Sequence, residues 1–563
     1  MGTSKKRFTK ADAVAAFLAQ RNVPAVFQLS GGMIAFLTDS IATLGKTPIV
    51  NTRHEQAAGF AAEGATRINR TSAVAMGTSG PGATNLITAI ASSYFDSVPT
   101  IFITGQVNQH ELRDSQSQRQ NGFQELDVVN LVKGITKYAI SIDSETDLIQ
   151  ELNKCWVTAN SGRPGPVLID IPIDVQQEEF FQSQHNSSSI GALDSKPYEN
   201  LKIEVLLGLV KDSSRPIFLL GGGIQTSGSV ESVRRLIEET GIPAVHSLMG
   251  IDVLPSSSSY RIGMLGSYGN RWANSAVNRA DLIIGLGTRL DVRQTGNDRA
   301  NFQKNKKIFR VDIDESELNG RITADVSVNA TLNEFIESLD SKISRSDSSD
   351  WISSILDEKK SLPQEFEQSD SLEFNPDRIM KWISSVNCNA SGYIVDVGQH
   401  QMWAAQSLEL GPKQRFITSG GLGAMGFALP AAIGATYANS GRWVVIAGDG
   451  CTQLSLAELQ TIIHYNLPIT ICVMNNLQHG MVAQFQETNM DSRFVATRDG
   501  YSAPNFCKIA EAFGVVSHKI ENYEDMRALT EEVSSWDEGA LLLEFKISRG
   551  AKALPKMGVG DQD

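Results

Sequence analysis

Nowhere in this 563-residue chain do apolar residues run for the roughly 18 positions needed to cross a bilayer. The opening MGTSKKRFTKADAV has no apolar core of the kind a secretory signal carries. Lys6 stands where a myristoylation signal needs Ser or Thr. The five cysteines (Cys155, Cys388, Cys451, Cys472, Cys507) are scattered, odd in number and form no CxxC pair. That excludes a disulfide scaffold and a cysteine zinc site, and fits a reducing compartment. Positive charge is the scarcer sign: 50 Lys and Arg against 63 Asp and Glu give a net charge of −13. Such a surface disfavours non-specific contact with nucleic acid or anionic lipid. No short repeat period is present, which excludes a solenoid. These absences predict a cytoplasmic protein with no nucleic-acid or membrane partner.

The remaining composition, 41% hydrophobic and 20% charged, is that of a globular protein. Two polar stretches, Gln182–Asn200 and Lys342–Asp377, interrupt the pattern and read as connections, the second with a helix over Trp351–Leu356. They divide the chain near 1–180, 195–340 and 375–545, with a tail at 546–563. Each segment alternates helical patterns with continuous apolar runs. These runs are Ala25–Leu29, Ser72–Met76 and Thr100–Thr104, then Pro216–Leu220, Asp281–Leu286 and Lys307–Ile313, then Tyr393–Val397, Trp443–Ile446 and Ile469–Met474. Apolar strands separated by helices predict parallel sheets covered on both faces, hence three doubly wound α/β domains.

The strongest chemical signal is WVVIAGDGCTQLSLAELQTIIHYNLPITICVMNNLQHGM. A buried strand ends at Gly448-Asp449-Gly450, a helix is expected near Ser455–Tyr465, and a second strand ends at Asn475-Asn476. Alone, either end is an ordinary turn. One crossover apart, they put Asp449 and Asn476 at the carboxyl edge of a sheet, where open α/β folds bind ligands. A carboxylate, an amide oxygen and a backbone carbonyl suit Mg²⁺, which keeps its other positions for phosphate oxygens and water.

GDG followed by NN at this interval resembles the signature of thiamine-diphosphate (ThDP) enzymes. Upstream, DVGQHQMWAAQ and TSGGLGAMGFALPAAIGA resemble acetohydroxyacid synthase, the acetolactate synthase family, and the similarity runs through all three segments. The resemblance implies that Asp449, the Asn476 side chain and the Gln478 main-chain carbonyl ligate Mg²⁺. Gln399 and His400 would then bind diphosphate oxygens, Gly423 the aminopyrimidine, and Met425 would bend the cofactor. Gly448, Gly450, Cys451 and Met481 would line it.

In the first segment, VNTRHEQAAGFAAEGATR places a helix start near His54 or Glu55. A carboxylate there could simply complement the helix dipole. The small Ala57, Ala58, Gly59, Ala61 and Ala62 let another backbone or a flat cofactor pack close. By resemblance, Glu55 relays a proton to the cofactor pyrimidine, and Gln124, near the substrate channel, is a second catalytic residue. The family arrangement then implies a homodimer or homotetramer, with each active site between subunits. GTSGPGATN (77–85) is a glycine loop opening a helix, but it lacks the GK[ST] of a nucleotide triphosphatase.

The middle segment carries LLGGGIQ, GLGTRLDVRQTG and FRVDIDESEL. Gly221, Gly222 and Gly223 follow a strand and permit close approach to a dinucleotide. By resemblance these elements bind FAD in a structural role, with Arg163, Arg289, Asp291, Arg293, Asp314 and Asp325 as contacts or near neighbours.

The family takes pyruvate as donor and a 2-oxo acid as acceptor. Its acceptor slot maps onto Phe123, Met249, Arg293 and Phe485, with Lys137 near the channel. Arg suits carboxylate recognition. Three positions depart from the family: Phe485 where Trp is usual, Val292 in place of an acid, and Leu29-Ser30-Gly31-Gly32-Met33 in place of a Tyr-Pro-Gly-Gly stretch. They raise the alternative of a bulkier ketone acceptor, such as a nucleotide-linked deoxysugar. A non-catalytic flavin protein would be expected to lack Glu55, Asp449 or Asn476. A simple decarboxylase would show a His-His pair, which is missing here.

Overall fold

The computed structural model describes residues 7–113, 117–180, 201–339, 342–343, 345–367 and 374–556. Three six-stranded sheets are present, and every pairing in them is parallel. The first holds β1 (Val26–Gln28), β2 (Ile49–Asn51), β3 (Val74–Gly77), β4 (Ile101–Gln106), β5 (Tyr138–Ser141) and β6 (Val167–Pro172). The second holds β7 (Pro216–Leu220), β8 (Ala244–His246), β9 (Arg261–Met264), β10 (Leu282–Leu286), β11 (Lys307–Asp312) and β12 (Val326–Asn329). The third holds β13 (Gly392–Val395), β14 (Arg415–Thr418), β15 (Trp443–Gly448), β16 (Ile469–Asn475), β17 (Val516–Ile520) and β18 (Leu541–Lys546). Central strands such as β4, β15 and β16 are buried at every residue, because helices cover both faces. This is why they read as unbroken apolar runs.

Strand order positions the sites. The first and third sheets share one order, β2-β1-β3-β4-β6-β5 and β14-β13-β15-β16-β18-β17. The middle sheet runs β9-β8-β7-β10-β11-β12, the 3-2-1-4-5-6 order of dinucleotide-binding folds. In each sheet the order reverses at one point, and the loops that leave the carboxyl ends there splay apart into a crevice. Those points lie between β1 and β3, between β7 and β10, and between β13 and β15.

Two local features go beyond expectation. The helix expected at Ser455–Tyr465 is present as Glu458–His464, and a further short helix, Asp449–Leu454, precedes it. Gly448 supplies the extended residue that lets a helix start at Asp449, and the chain bends at Ser455 (φ −126°). The stretch Lys342–Asp377 is more than a connection. Within it the helix Ser349–Ser361 buries Trp351 and Ile355, one turn apart, in the middle domain's core. Asn375 caps the helix Pro376–Val386, so Asp377 already belongs to the third domain, where it accepts from Ser407 Oγ at 2.7 Å. Gln182–Asn200 lies outside the described residues. No described helix is long and apolar enough to cross a membrane.

The first and third domains share one apolar core. Its centre is the helix Glu55–Asn69 packed antiparallel on the helix Ala428–Ala438. A Cβ on Gly434 would lie 1.7 Å from the Ala61 carbonyl oxygen, and one on Gly64 would lie 2.2 Å from that of Ala431. The small residues therefore admit another backbone, not a flat cofactor. Gly434→Ala is expected to force the helices apart at a cost of about 1–3 kcal/mol or more. A thermal unfolding midpoint equal to that of the unsubstituted protein would show that they part freely.

Candidate active site

At the third sheet's reversal point, β13 leads through Asp396 and Gly398 into the helix Gln399–Ser407, while β15 ends on Asp449. Asp449 is buried and accepts from Tyr501 Oη at 2.9 Å. No ion pair to it exists among the described residues, and burial pushes its carboxyl up to about 6. Asn476 donates through Nδ2 to Gln399 Oε1 at 3.0 Å, which leaves its own Oδ1 free of that bond. The Gln478 side chain is engaged by the Arg549 carbonyl (2.9 Å) and Arg498 Nε (2.6 Å), so its main-chain carbonyl is the oxygen left to offer. His400 Nε2 accepts from Gly448 N at 3.2 Å, and burial lowers this imidazole to about 3, so it is neutral with its proton on Nδ1. Gly423 takes a left-handed φ of +72°, which turns the chain ahead of Met425. Met425 Cε comes within 3.4 Å of where a Cβ on Gly450 would stand. Cys451 Sγ donates to the Val397 carbonyl at 3.2 Å, and Met481 lies on the helix Gly480–Asn489 that follows Gln478. One buried carboxylate among neutral oxygens is a ligand set for a cation that carries its own anion.

Glu55 opens the helix Glu55–Asn69 behind the cap His54. It is 5% exposed; Oε2 accepts from Asn85 Nδ2 at 3.0 Å, and Oε1 sits 3.3 Å from where a Cβ on Gly82 would stand. Gln124, at φ +66°, rests against Gly80 of the same glycine loop. Glu55, Asn85, Gly82, Gly80 and Gln124 therefore form one group on the first domain.

This group does not meet Asp449 within one chain. The contacts Ala61–Gly434 and Gly64–Ala431 fix the antiparallel register of the two central helices. That register carries Glu55 past Ala438, toward the amino edge of the third sheet, where Asn51 N donates to Tyr465 Oη at 3.0 Å. Arg67 is at the other end, donating to the carbonyl of Thr418, the last residue of β14, at 3.2 Å. The twelve helical steps from Glu55 to Arg67 span about 18 Å. Asp449 is on Arg67's side of the sheet.

The middle sheet's reversal point opens into a cavity of about 480 Å³ whose wall is contributed by all three domains. Of the expected residues, Arg163, Gly222, Gly223, Met249, Arg289, Asp291 and Arg293 line it. Gly221 does not. Its missing side chain admits the Gly287 carbonyl, 2.0 Å from where a Cβ would stand. The glycine run thus serves first to bring two loops together. Asp314 pairs with Arg163 at 2.9 Å outside the lining, and Glu317, also bound to Arg163, takes the place in the wall. Asp325 lies apart from these residues. It precedes β12, accepts from Lys307 Nζ and Ile308 N at the amino edge of the sheet, and so sits at the opposite edge from the cavity. Asp312, the residue that ends β11, stands in the wall with Glu317.

The expected acceptor residues are dispersed. Met249 and Arg293 line the cavity, Phe485 is half exposed on the third domain, and Phe123 is 80% exposed on the first. Lys137 stands apart from Gln124, next to Gly165 and the 162–164 stretch of the cavity wall. It precedes β5 and donates to the Ser161 carbonyl at 2.5 Å, on the sheet edge opposite Gln124, and burial lowers its pKa.

Known proteins resolve what these three sites share. Residues 8–131 match the family described as thiamine pyrophosphate enzyme, N-terminal TPP binding domain. Residues 203–339 match its central domain, and residues 396–545 its C-terminal TPP binding domain. An acetolactate synthase of Mycobacterium leprae is 33% identical over 99% of this chain and 90% of its own length. The acetolactate synthase large subunit of Lactococcus lactis is 34% identical over 96% and 93%. A probable chloroplastic acetolactate synthase of Oryza sativa is 35% identical over 97% and 84%.

The chain belongs to the acetolactate synthase family of thiamine-diphosphate enzymes. It is accordingly a ThDP-dependent enzyme of the acetolactate synthase type, catalysing acyloin formation. In this acetolactate synthase family member, sequence reasoning overlooked Tyr501, Asn85, Asp312 and Glu317. Asp312 was accessible to it, since RVDID ends a strand and the strand-terminal acid faces the crevice. Tyr501 was not, because it lies 52 residues from Asp449 in an irregular segment.

Proposed function

We propose that this chain decarboxylates pyruvate and joins the remaining two-carbon unit to the carbonyl of a second 2-oxo acid, with ThDP, Mg²⁺ and FAD as resident groups. The observation that carries this reading is the buried Asp449–Asn476–Gln399 group at the third sheet's reversal point. Its oxygens fit Mg²⁺, and the metal in turn would hold a diphosphate. The cavity at the middle sheet's reversal point, with Gly222, Gly223, Arg163 and Arg289 in its wall, fits the dinucleotide FAD. Bound ThDP supplies the nucleophilic carbon and electron sink that decarboxylation of a 2-oxo acid requires.

The chain's own residues do the rest. Glu55 holds a proton at the pyrimidine N1′, and its near-complete burial makes that carboxyl a directed partner instead of a solvated one. Gln399 and neutral His400 orient the diphosphate, and Met425 packs against the cofactor. Because Glu55 and Asp449 stand at opposite edges of the third sheet, a second copy completes each site, as a homodimer or a pair of dimers. Leu422, Leu454, Leu477, Val482 and Phe485 are exposed around the Asp449 edge, an apolar rim suited to that burial. Arg293 recognises the acceptor carboxylate, and Phe485 shapes its slot.

A second reading, a bulkier ketone acceptor, is favoured by Val292. It is exposed beside Arg293, where an acid would orient the guanidinium, and no carboxylate pairs with Arg293 among the described residues. Both readings are tested by mass analysis of products from pyruvate alone and from pyruvate with 2-oxobutyrate or a cyclic ketone. Acetohydroxy acids from a yellow, flavin-containing protein are the expected outcome. Phe485→Trp should shift the ratio between two acceptors toward the smaller by about tenfold, the scale of one methylene in an apolar pocket. A colourless protein that cannot be loaded with FAD removes the flavin from the proposal. Products only from the ketone replace the first reading with the second.

A further inference from the structure

Asp96 ends the helix Pro81–Phe95 with its side chain buried between two domains. Oδ1 accepts from Gly421 N at 2.6 Å and Oδ2 from Gly420 N at 3.0 Å. Oδ2 also takes Arg67 Nη2 at 2.5 Å. Arg67 Nη1 donates to the Thr418 carbonyl at 3.2 Å and Nε to Glu63 Oε1 at 3.0 Å. Glu63 is fully buried, and Ser93 Oγ approaches its other oxygen at 3.4 Å. Burial raises the Glu63 carboxyl, with Arg67 opposing. Burial pulls the Arg67 guanidinium down, but Glu63 and Asp96 together carry it above its ordinary value.

This cluster joins two sites. Arg67, Asp96 and Gly420 all face the central cavity. Gly420 is also in contact with the middle domain, since Met249 Sδ lies 2.2 Å from where its Cβ would stand, and Met249 Cβ lies 2.9 Å from where that of Gly222 would. Five residues after Gly420, Met425 overhangs Gly450 beside Asp449. The segment Gly420–Met425 therefore begins in the cavity wall and ends over the metal edge. Two successive amides held by one carboxylate, itself held by a guanidinium out of water, make a stiff anchor, because charge-assisted bonds strengthen at low dielectric.

We propose that Asp96, fixed by Arg67, is a positioning residue that couples filling of the central cavity to the shape of the Gly420–Met425 turn, so that an occupied cavity tightens binding at the Asp449 edge. The inference rests on the reading of that cavity as the flavin site and of the Asp449 edge as the ThDP site. On this inference a flavin in that cavity would brace the wall from which the turn departs.

The test titrates ThDP with Mg²⁺ into full-length protein by calorimetry, once loaded with FAD and once stripped of it. Filling the cavity should tighten ThDP binding about tenfold in the unsubstituted protein, and in Asp96→Asn the two affinities should agree within about twofold, the coupling having been lost. Asn keeps the size but sets its NH2 against the Gly421 N–H in one orientation, or against the Gly420 N–H and Arg67 in the other, so one of the two amides loses its acceptor. The far-ultraviolet circular dichroism should be retained. Should Asp96→Asn not fold, Arg67→Lys serves instead: it keeps the charge, loses the fork that reaches both Thr418 and Asp96, and should also reduce the ratio. A variant that binds both groups with the unsubstituted ratio overturns the proposal. So does an unsubstituted protein that binds FAD yet shows no ratio. Failure of that protein to bind FAD at all overturns instead the flavin reading beneath it.

Discussion

Glu55→Gln is expected to lose carboligation by about 10²–10⁴-fold, the range for removing one positioned proton-transfer group. The glutamine amide oxygen can still accept from Asn85 Nδ2, so the start of the helix Glu55–Asn69 keeps its hydrogen bond. On the proposed reading the diphosphate and Mg²⁺ are held at the other edge of the third sheet, through residues that the substitution does not touch, and glutamine can still hydrogen-bond the pyrimidine. Cofactor affinities, measured by calorimetry, should therefore be largely retained while turnover collapses. Near-normal turnover would remove Glu55 from the mechanism. Weakened cofactor binding with proportionate activity would make it a binding residue only.

Asp449→Ala should produce the opposite pattern. The substitution removes the only carboxylate of the proposed metal set and also the acceptor of Tyr501 Oη. Mg²⁺ keeps few protein ligands, so the loss of its anionic one cannot be made up by Asn476 and a carbonyl. ThDP affinity should fall by at least about 100-fold, as for other losses of a charged ligand-shell partner, and activity should return in part at high ThDP and Mg²⁺. Unchanged titration of ThDP would move the metal elsewhere. The two variants together separate the halves of the site: one retains binding and loses rate, while the other loses binding and recovers rate by mass action.

The amino-acid sequence by itself determined the three parallel sheets, because strands buried on both faces must be continuously apolar, as β15 and β16 are. It also determined the Asp449–Asn476 pair, because both residues end strands joined by one crossover, and local geometry alone carries them to the same edge. Glu55 at a helix start behind His54 was legible for the same reason. Tertiary structure decided what depends on partners distant in the chain. The small residues of the helix Glu55–Asn69 admit the helix Ala428–Ala438, more than 360 residues away, and no local pattern distinguishes that occupant from a flat ligand. Asp314 and Asp325 sit in an acid-rich stretch where the spacing of carboxylates does not reveal which edge of the sheet each one faces; only the end of β11 selects Asp312. Lys137 and Gln124 lie 13 positions apart, yet on opposite edges of one sheet, because the chain crosses that sheet between them. The separation of Glu55 from Asp449 follows from the antiparallel register of two glycine-notched helices, and a register set by backbone contact between domains exists only once those domains have packed.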